Sequence, residues 1–414
     1  MAKHSETPKG ATAGSSGQAR PLPPIWLMGM GQIPLGAISA ITVVTVPQLL
    51  AANHVPEPQI ATITSIALIP GFAAFLLCPL LDWRFRRRTY AIAMVVLGAL
   101  CQFAALLCVR DLTLLTILLF AGFMAIALSV AAIGGWFGNL VRTEDKAALG
   151  AWFAVANIGG VGVVATVAIF LLRDLPYALG AALLSLPILV ALPLFLWISC
   201  PPADRRLASE SFRAFAADVL ALLRQPSVLW TLPLFLAPSA SFALTNTLGG
   251  LGRDFNTSEK MVALLGGLGA AVAGLAGGLL AQGLAQRTKP RSLYLIVGLV
   301  GAAFTLSLIM MARTPAVFGI AMLGENLFQA AAFSVGNIII LRTIGHENPL
   351  AATQFGLLNA AYVVPIAYMQ AIDGQAYGAG GANGSFLADA SISGVVCLLL
   401  ALLLWIWRRK IPAI

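Results

Sequence analysis

Apolar residues run in long blocks along this chain, separated by short polar or charged breaks. The blocks do not alternate with a period of two, as the strands of a membrane barrel would. Most reach the roughly 20 residues that a helix needs to cross the hydrocarbon core of a bilayer. Placing breaks at charges and prolines predicts twelve helical spans: 25–51, 59–81, 89–109, 113–140, 147–171, 177–199, 226–250, 260–284, 292–312, 316–343, 351–373 and 387–407. Residues 1–23 are polar and rich in Gly, Ser, Thr and Pro, and are expected to be disordered. No short apolar stretch with a small-residue cleavage site precedes the first span, so no removable signal peptide is expected.

Composition agrees with a lipid-solvated chain. Of 414 residues 59% are hydrophobic and 10% charged, whereas soluble domains carry about 25% charged residues. So little charge cannot cover a water-facing surface. The five cysteines are too few for a disulfide scaffold in so long a chain. The net charge of +9 is a topology signal: with the N-terminus inside, 20 of the 25 Lys and Arg fall on the inner side. Only Arg110, Arg173, Arg253, Lys260 and Arg313 fall outside, which predicts both termini in the cytoplasm. No clustered basic face on a soluble domain indicates a nucleic-acid partner.

The longest inner connection, 200–225, divides the chain near its middle, and its 207–223 stretch reads as an amphipathic surface helix. The predicted organisation is a tail 1–23, a six-helix bundle 24–199, a cytoplasmic linker 200–225, a second bundle 226–408 and a tail 409–414. The halves echo each other. Pro34 matches Pro238 at an offset of 204, Arg142-Thr143 matches Arg342-Thr343 at 200, and Phe153 with Asn157 matches Phe355 with Asn359 at 202. The predicted fold class is therefore an all-α polytopic membrane protein of twelve transmembrane helices in two pseudo-symmetric six-helix bundles. Many secondary transporters follow this plan, with a site between the halves.

Between the second and third spans runs Pro79-Leu80-Leu81-Asp82-Trp83-Arg84-Phe85-Arg86-Arg87-Arg88. It resembles the Gly-x-x-x-Asp-Arg-x-Gly-Arg-Arg loop of the major facilitator superfamily, with Asp82 at the aspartate and Arg87 and Arg88 at the paired arginines. Pro79 near the glycine position and Trp83 at the first arginine depart from it. The resemblance implies a gating role for Asp82, Arg87 and Arg88; the alternative is that the arginines only anchor the inner loop. Further on, Gly324-Glu325-Asn326-Leu327 and Ala351-Ala352-Thr353-Gln354-Phe355-Gly356-Leu357-Leu358 are similar to stretches of the AmpG-like permeases, a branch that imports muropeptides. Gln32-Ile33-Pro34-Leu35-Gly36 fits the same branch. In length and plan the chain looks more like the siderophore permeases of that branch, which bring iron-pyochelin or rhizobactin across the bacterial inner membrane. Muropeptide uptake is the alternative.

Glu325 lies nine residues past Ala316, about 14 Å into its span, and is the acid expected well inside the bilayer. A carboxyl that binds a proton on one side and releases it on the other is what proton coupling requires. Glu325, Gln329, Phe333 and Asn337 follow at steps of four along one stripe, which reads as the lining of a pathway or, alternatively, as interhelical packing. Asn326, Gln329, Asn337, Gln354, Asn359, Tyr362, Gln32 and Asn246 are the candidate substrate-binding residues. Asp373 is placed close to the outer end of its span.

Several functions lack their residues. His4, His54 and His346 form no metal-ligand spacing, and no Cys-x-x-Cys occurs. No phosphate-binding Gly-rich loop ending in Lys-Ser/Thr is present, so ATP hydrolysis by this chain is not expected. The expectation is a non-enzymatic, cofactor-free monomer in the inner membrane, whose partners are a polar solute, protons and lipid.

Overall fold

A computed structural model of the chain describes residues 22–198, 212–345 and 348–410. The predicted N-terminal tail up to residue 21, Cys200 and the rest of 199–211, His346 with Glu347, and residues 411–414 lie outside the described residues. The described residues form helices joined by short turns. The first half contains α1 (Ile25–Ala52), α2 (Pro58–Leu76), α3 (Arg87–Leu107), α4 (Leu112–Leu140), α5 (Lys146–Asp174) and α6 (Tyr177–Trp197). A helix Phe212–Leu223, overlapping the predicted surface helix, leads into the second half. Its Ala217–Leu223 portion meets α7 (Pro226–Leu236) at a bend of 62°. Then follow α8 (Glu259–Arg287), α9 (Pro290–Ile309) and α10 (Pro315–Ile344). The continuous run Ala351–Lys410 is two spans, because Gly380 and Gly381 leave helical geometry; we number them α11 (351–379) and α12 (382–406).

Polar residues set several helix starts. Asp111 accepts from the amides of Thr113 and Leu114 at the start of α4, Ser258 from Met261 at α8, and Thr314 from Val317 at α10. Leucines and valines such as Leu100, Val272 and Leu402 point outward from the bundle, as lipid-facing positions do. Glycine lets helices approach. A Cβ on Gly36 would lie 2.2 Å from the carbonyl of Asn157, which joins α1 to α5, and one on Gly277 would lie 2.2 Å from the carbonyl of Leu327, which joins α8 to α10.

Two expectations need correction. Span 226–250 is not one helix. Helix α7 stops at Leu236, Phe242 takes a left-handed φ of 46°, and the chain continues as 3-10 turns Ala243–Asn246 and Leu248–Phe255. Pro233 and Pro238 weaken the helical ladder on both sides of the stop. The freed carbonyls find side-chain donors: Leu236 takes the Tyr368 hydroxyl at 2.8 Å, Ser239 takes Cys397 Sγ at 2.7 Å, and Phe242 takes Thr245 Oγ1 at 2.8 Å. Irregular backbone is tolerable at membrane depth when buried in protein this way. Second, α11 runs several residues past the predicted end at 373, and α12 begins before 387. This carries Asp373 and Asp389 into the bundle, where they are 1% and 3% exposed.

Candidate functional site

The end of the molecule that carries the basic loops holds a polar seam between the halves. Asp82, at the end of the 3-10 turn Cys78–Asp82, reaches the N-terminus of α11. Its Oδ2 accepts from the backbone N–H and the hydroxyl of Thr353, both at 2.7 Å, and its Oδ1 from the Ala352 amide at 3.2 Å. Asp82 is thus the N-cap acceptor of a helix in the other half, where unpaired amides and the helix dipole favour an anion. The Arg87 Nε donates to Asp82 Oδ1 at 2.7 Å, and both side chains are buried, at 1% and 0% exposure. Arg87 Nη2 continues across the seam to the carbonyls of Asn348 (3.1 Å) and Pro349 (2.9 Å). Arg88 turns instead to the Ile198 carbonyl of its own half, at 3.4 Å.

Neighbouring residues extend the seam. Asn139 donates to the Asn348 carbonyl at 2.9 Å and accepts its amide at 3.2 Å. Lys146 Nζ donates to the Gly345 carbonyl at 2.8 Å. Packing there obeys a two-fold relation. A Cβ on Gly135 (α4) would sit 2.4 Å from the Ala352 nitrogen (α11), and one on Gly150 (α5) would sit 2.8 Å from the Ile338 nitrogen (α10). Position 135 corresponds to 338 at an offset of 203, and 150 to 352 at 202, so each contact is the counterpart of the other. These offsets match the sequence echoes.

A second polar group lies deeper, around the break in α7. Gln329 donates to Thr245 Oγ1 and lies 3.4 Å from the Phe242 carbonyl, while Asn246 Nδ2 donates to Gln370 Oε1 at 3.3 Å. Beside them stands an aromatic wall: Tyr362 meets Phe333 at 5.1 Å and Phe235 at 5.3 Å between ring centroids, both edge-on. Of the candidate substrate residues, Gln329 and Asn246 come to this place and Tyr362 to its wall. Asn337 and Asn359 are half-buried on α10 and α11, and Gln32 is buried in α1. Asn326 is occupied within its own helix, donating to Met322 at 2.8 Å. Gln354 belongs to the seam: it accepts from Asn348 at 2.6 Å and donates to the Thr343 carbonyl at 3.2 Å.

Glu325 is fully buried and receives Thr305 Oγ1 of α9 at 2.5 Å. It does not share the exposure of Gln329, Phe333 and Asn337, because a step of four residues turns about 40° beyond a full helical turn and the stripe winds around α10. Sequence reading missed Thr305, Asn139, Asn348 and Asp389. Only Asp389 had a legible signal, since it lies at steps of four between Ser385 and Ser393. Among the described residues no group of three His, Cys, Asp or Glu is placed to hold a metal ion.

No protein-family description matches the chain and no curated protein matches it by sequence. Solved structures do. The proton:xylose symporter XylE, bound to a bromo-deoxyglucose, superposes with a TM-score of 0.68 at 16% identity over 92% of this chain and 94% of its own. The E. coli fucose:proton symporter FucP gives 0.69 at 15% identity, over 92% and 98%. The chain has the major facilitator fold. A human organic anion transporter of that fold, TETRAN, superposes at 0.64 with 18% identity, over 91% and 98%. The major facilitator fold accounts for the twelve spans, for the two-fold seam and for the joining of halves through α4, α5, α10 and α11. At these identities the likeness concerns the fold alone.

Proposed function

We propose that this chain is a secondary active transporter that works by alternating access in the bacterial inner membrane, with both termini cytoplasmic. The observation that carries the reading is the cap of α11 by Asp82. A helix of one half ends on a carboxylate of the other, so the basic end is held shut by bonds that separation of the halves must break all at once. XylE and FucP are described as proton symporters and TETRAN as an organic anion transporter, and all superpose over nearly their whole length. The buried Glu325 is the coupling carboxyl of this reading, and Gln329, Asn246 and Tyr362 contribute to the solute surface. Asp82 and Arg87 act as the inner gate.

The cargo we propose is a bulky polar solute, an iron-siderophore complex of the pyochelin type. This rests on the resemblance to AmpG-like permeases. The residues that carry much of that resemblance, Ala351 to Phe355, are engaged at the seam, so they bear on gating and leave the cargo to the surface around α7. Vesicles holding the protein should accumulate labelled iron-pyochelin when a pH gradient, acid outside, is imposed, and should lose it when the gradient is collapsed. Preference for anhydro-muropeptide would reassign the cargo. Accumulation of neither would remove the transport reading.

A further inference from the structure

Within the second half, apart from the polar surface at α7, three carboxyls are buried in the interior. Glu325 comes from α10, Asp373 from α11 and Asp389 from α12, with exposures of 0%, 1% and 3%. Counted from the ends of their helices away from the basic loops, they lie about 10–15 Å deep. The charges of Asp389 and Asp373 act on Glu325, and that of Asp389 acts on Asp373. Oε2 of Glu325, both carboxyl oxygens of Asp373 and Oδ1 of Asp389 have no hydrogen-bond partner. Among the described residues no Lys, Arg or His forms an ion pair with any of them.

An independent feature of α12 points into the same space. Ser385, Asp389 and Ser393 follow at steps of four and are all buried. Ser385 donates to the Asp373 carbonyl at 2.8 Å, which turns this stripe onto α11. Ser393, 5% exposed, has a hydroxyl with no partner on that stripe. The hydrogen-bond accounting at Thr305 agrees. Its hydroxyl has one hydrogen, and the Gly301 carbonyl of its own helix stands 3.1 Å away. When Thr305 donates there, the 2.5 Å contact with Glu325 needs the proton to sit on the carboxyl.

A cation packs against the start of α12. Arg313, in the turn between α9 and α10, lies 4.5 Å over the Phe255 ring and 5.2 Å over Phe386, and donates to Asn383 at the start of α12. Burial holds its guanidinium below its usual range and Asp254 draws it back up. Asp254 in turn accepts the Tyr377 hydroxyl at 3.3 Å. Three carboxylates with no paired cation, in a low-dielectric interior, would repel one another and lack solvation, whereas protons remove both costs.

We propose that Glu325, Asp373 and Asp389 form a proton path inside the second half, loaded from the side of Arg313 and separate from the solute surface. A proton from water on that side bonds to an oxygen of Asp373 or Asp389. Its O–H bond breaks as a new one forms on a Glu325 carboxylate, the proton being passed along intervening water, and the donor is left a carboxylate that takes the next proton. One proton enters for each that leaves. The purpose of the path, though not its proton occupancy, rests on the transport reading above.

Infrared spectroscopy of the purified full chain tests the occupancy without any solute. A protonated-carboxyl band is expected at neutral pH, weakened in each of Glu325→Gln, Asp373→Asn and Asp389→Asn, and unchanged by sodium. In Ser393→Ala, which keeps all three acids, the band should keep its intensity and change frequency. A wild-type protein without the band, a band indifferent to both Asp variants or to Ser393→Ala, or a band erased by sodium would overturn the proposal. In vesicles loaded with a pH-sensitive dye, Asp373→Asn and Asp389→Asn should slow proton entry driven by iron-pyochelin by roughly a hundredfold, the scale of a lost proton-transfer group. An unchanged rate would also overturn it. Wild-type vesicles that move neither iron-pyochelin nor muropeptide would instead defeat the transport reading, and the infrared result would stand apart.

Discussion

Asp82 and Thr353 belong to different halves of the molecule, yet one carboxylate oxygen takes both the amide and the hydroxyl of the threonine at 2.7 Å. The same carboxylate neutralises Arg87, which is 1% exposed. Removing its charge takes away the carboxylate that pairs with this buried guanidinium. Asp82→Asn should therefore destabilise the protein by about 3–5 kcal/mol, the usual cost of breaking a buried ion pair. A thermal melt of the purified protein checks this, and an unchanged melt would mean that the seam is not under load.

The seam should also be open to steric blockage. Gly135→Val and Gly150→Val each push a side chain into backbone, at 2.4 Å from the Ala352 nitrogen and 2.8 Å from the Ile338 nitrogen. Overpacking of this kind costs about 1–3 kcal/mol where the structure must yield. The halves can escape it by parting. Cys78 is 1% exposed in that region, with Gly356 of α11 against its sulfur, and reports the parting directly. Its maleimide labelling, followed by mass spectrometry of its peptide, should be faster in both variants than in wild type. Equal rates would show that the seam absorbs the new methyls.

Thr305 offers a separable test of the buried acid. Thr305→Val preserves shape and removes the group that meets Glu325 Oε1. Leaving a buried carboxyl oxygen unpartnered should cost about 1–3 kcal/mol. Thr305→Ser should recover most of that loss in the melt, since it restores the hydroxyl. Equal melts for the Val and Ser variants would show that the hydroxyl matters little.

The hairpin joining α11 to α12 makes a prediction of opposite signs. Gly381 has φ 58° and ψ −153°, a region that residues with a Cβ avoid. Gly381→Ala should destabilise by about 1–3 kcal/mol. Gly374 is helical with open space around it, so Gly374→Ala should stabilise by up to about 1 kcal/mol. Melts that move in the same direction for both would contradict this geometry.

The twelve spans were legible because lipid leaves a strong mark: long apolar blocks with charge only between them. Two features escaped for physical reasons. Around Pro238 the residues stay apolar, and apolar content does not distinguish a helix from a break whose carbonyls are met by Tyr368 and Cys397 of distant spans. The stretch Ala376 to Ser385 is Gly- and Ala-rich and reads as a loop, yet much of it is helical because small side chains suit close helix packing. That reading put Asp373 close to the outer end of its span and Asp389 near the start of the next. At the seam, Asp82 and Arg87 were legible from their motif, while Asn139 and Asn348 had no local signature, because the two sit 209 residues apart and meet only in the folded chain.

The reciprocal packing of Gly135 on Ala352 and Gly150 on Ile338 constrains how the molecule can evolve. The first repeat lends two notches, Gly135 and Gly150, and the second lends the residues that fill them, Ala352 and Ile338. A bulkier residue in one notch demands a trimmed bump in the other repeat, some two hundred positions away. Pairs of this sort should drift together through descent, so that hybrids swapping a single repeat between distant cousins would mate poorly at this joint even when both parents are sound.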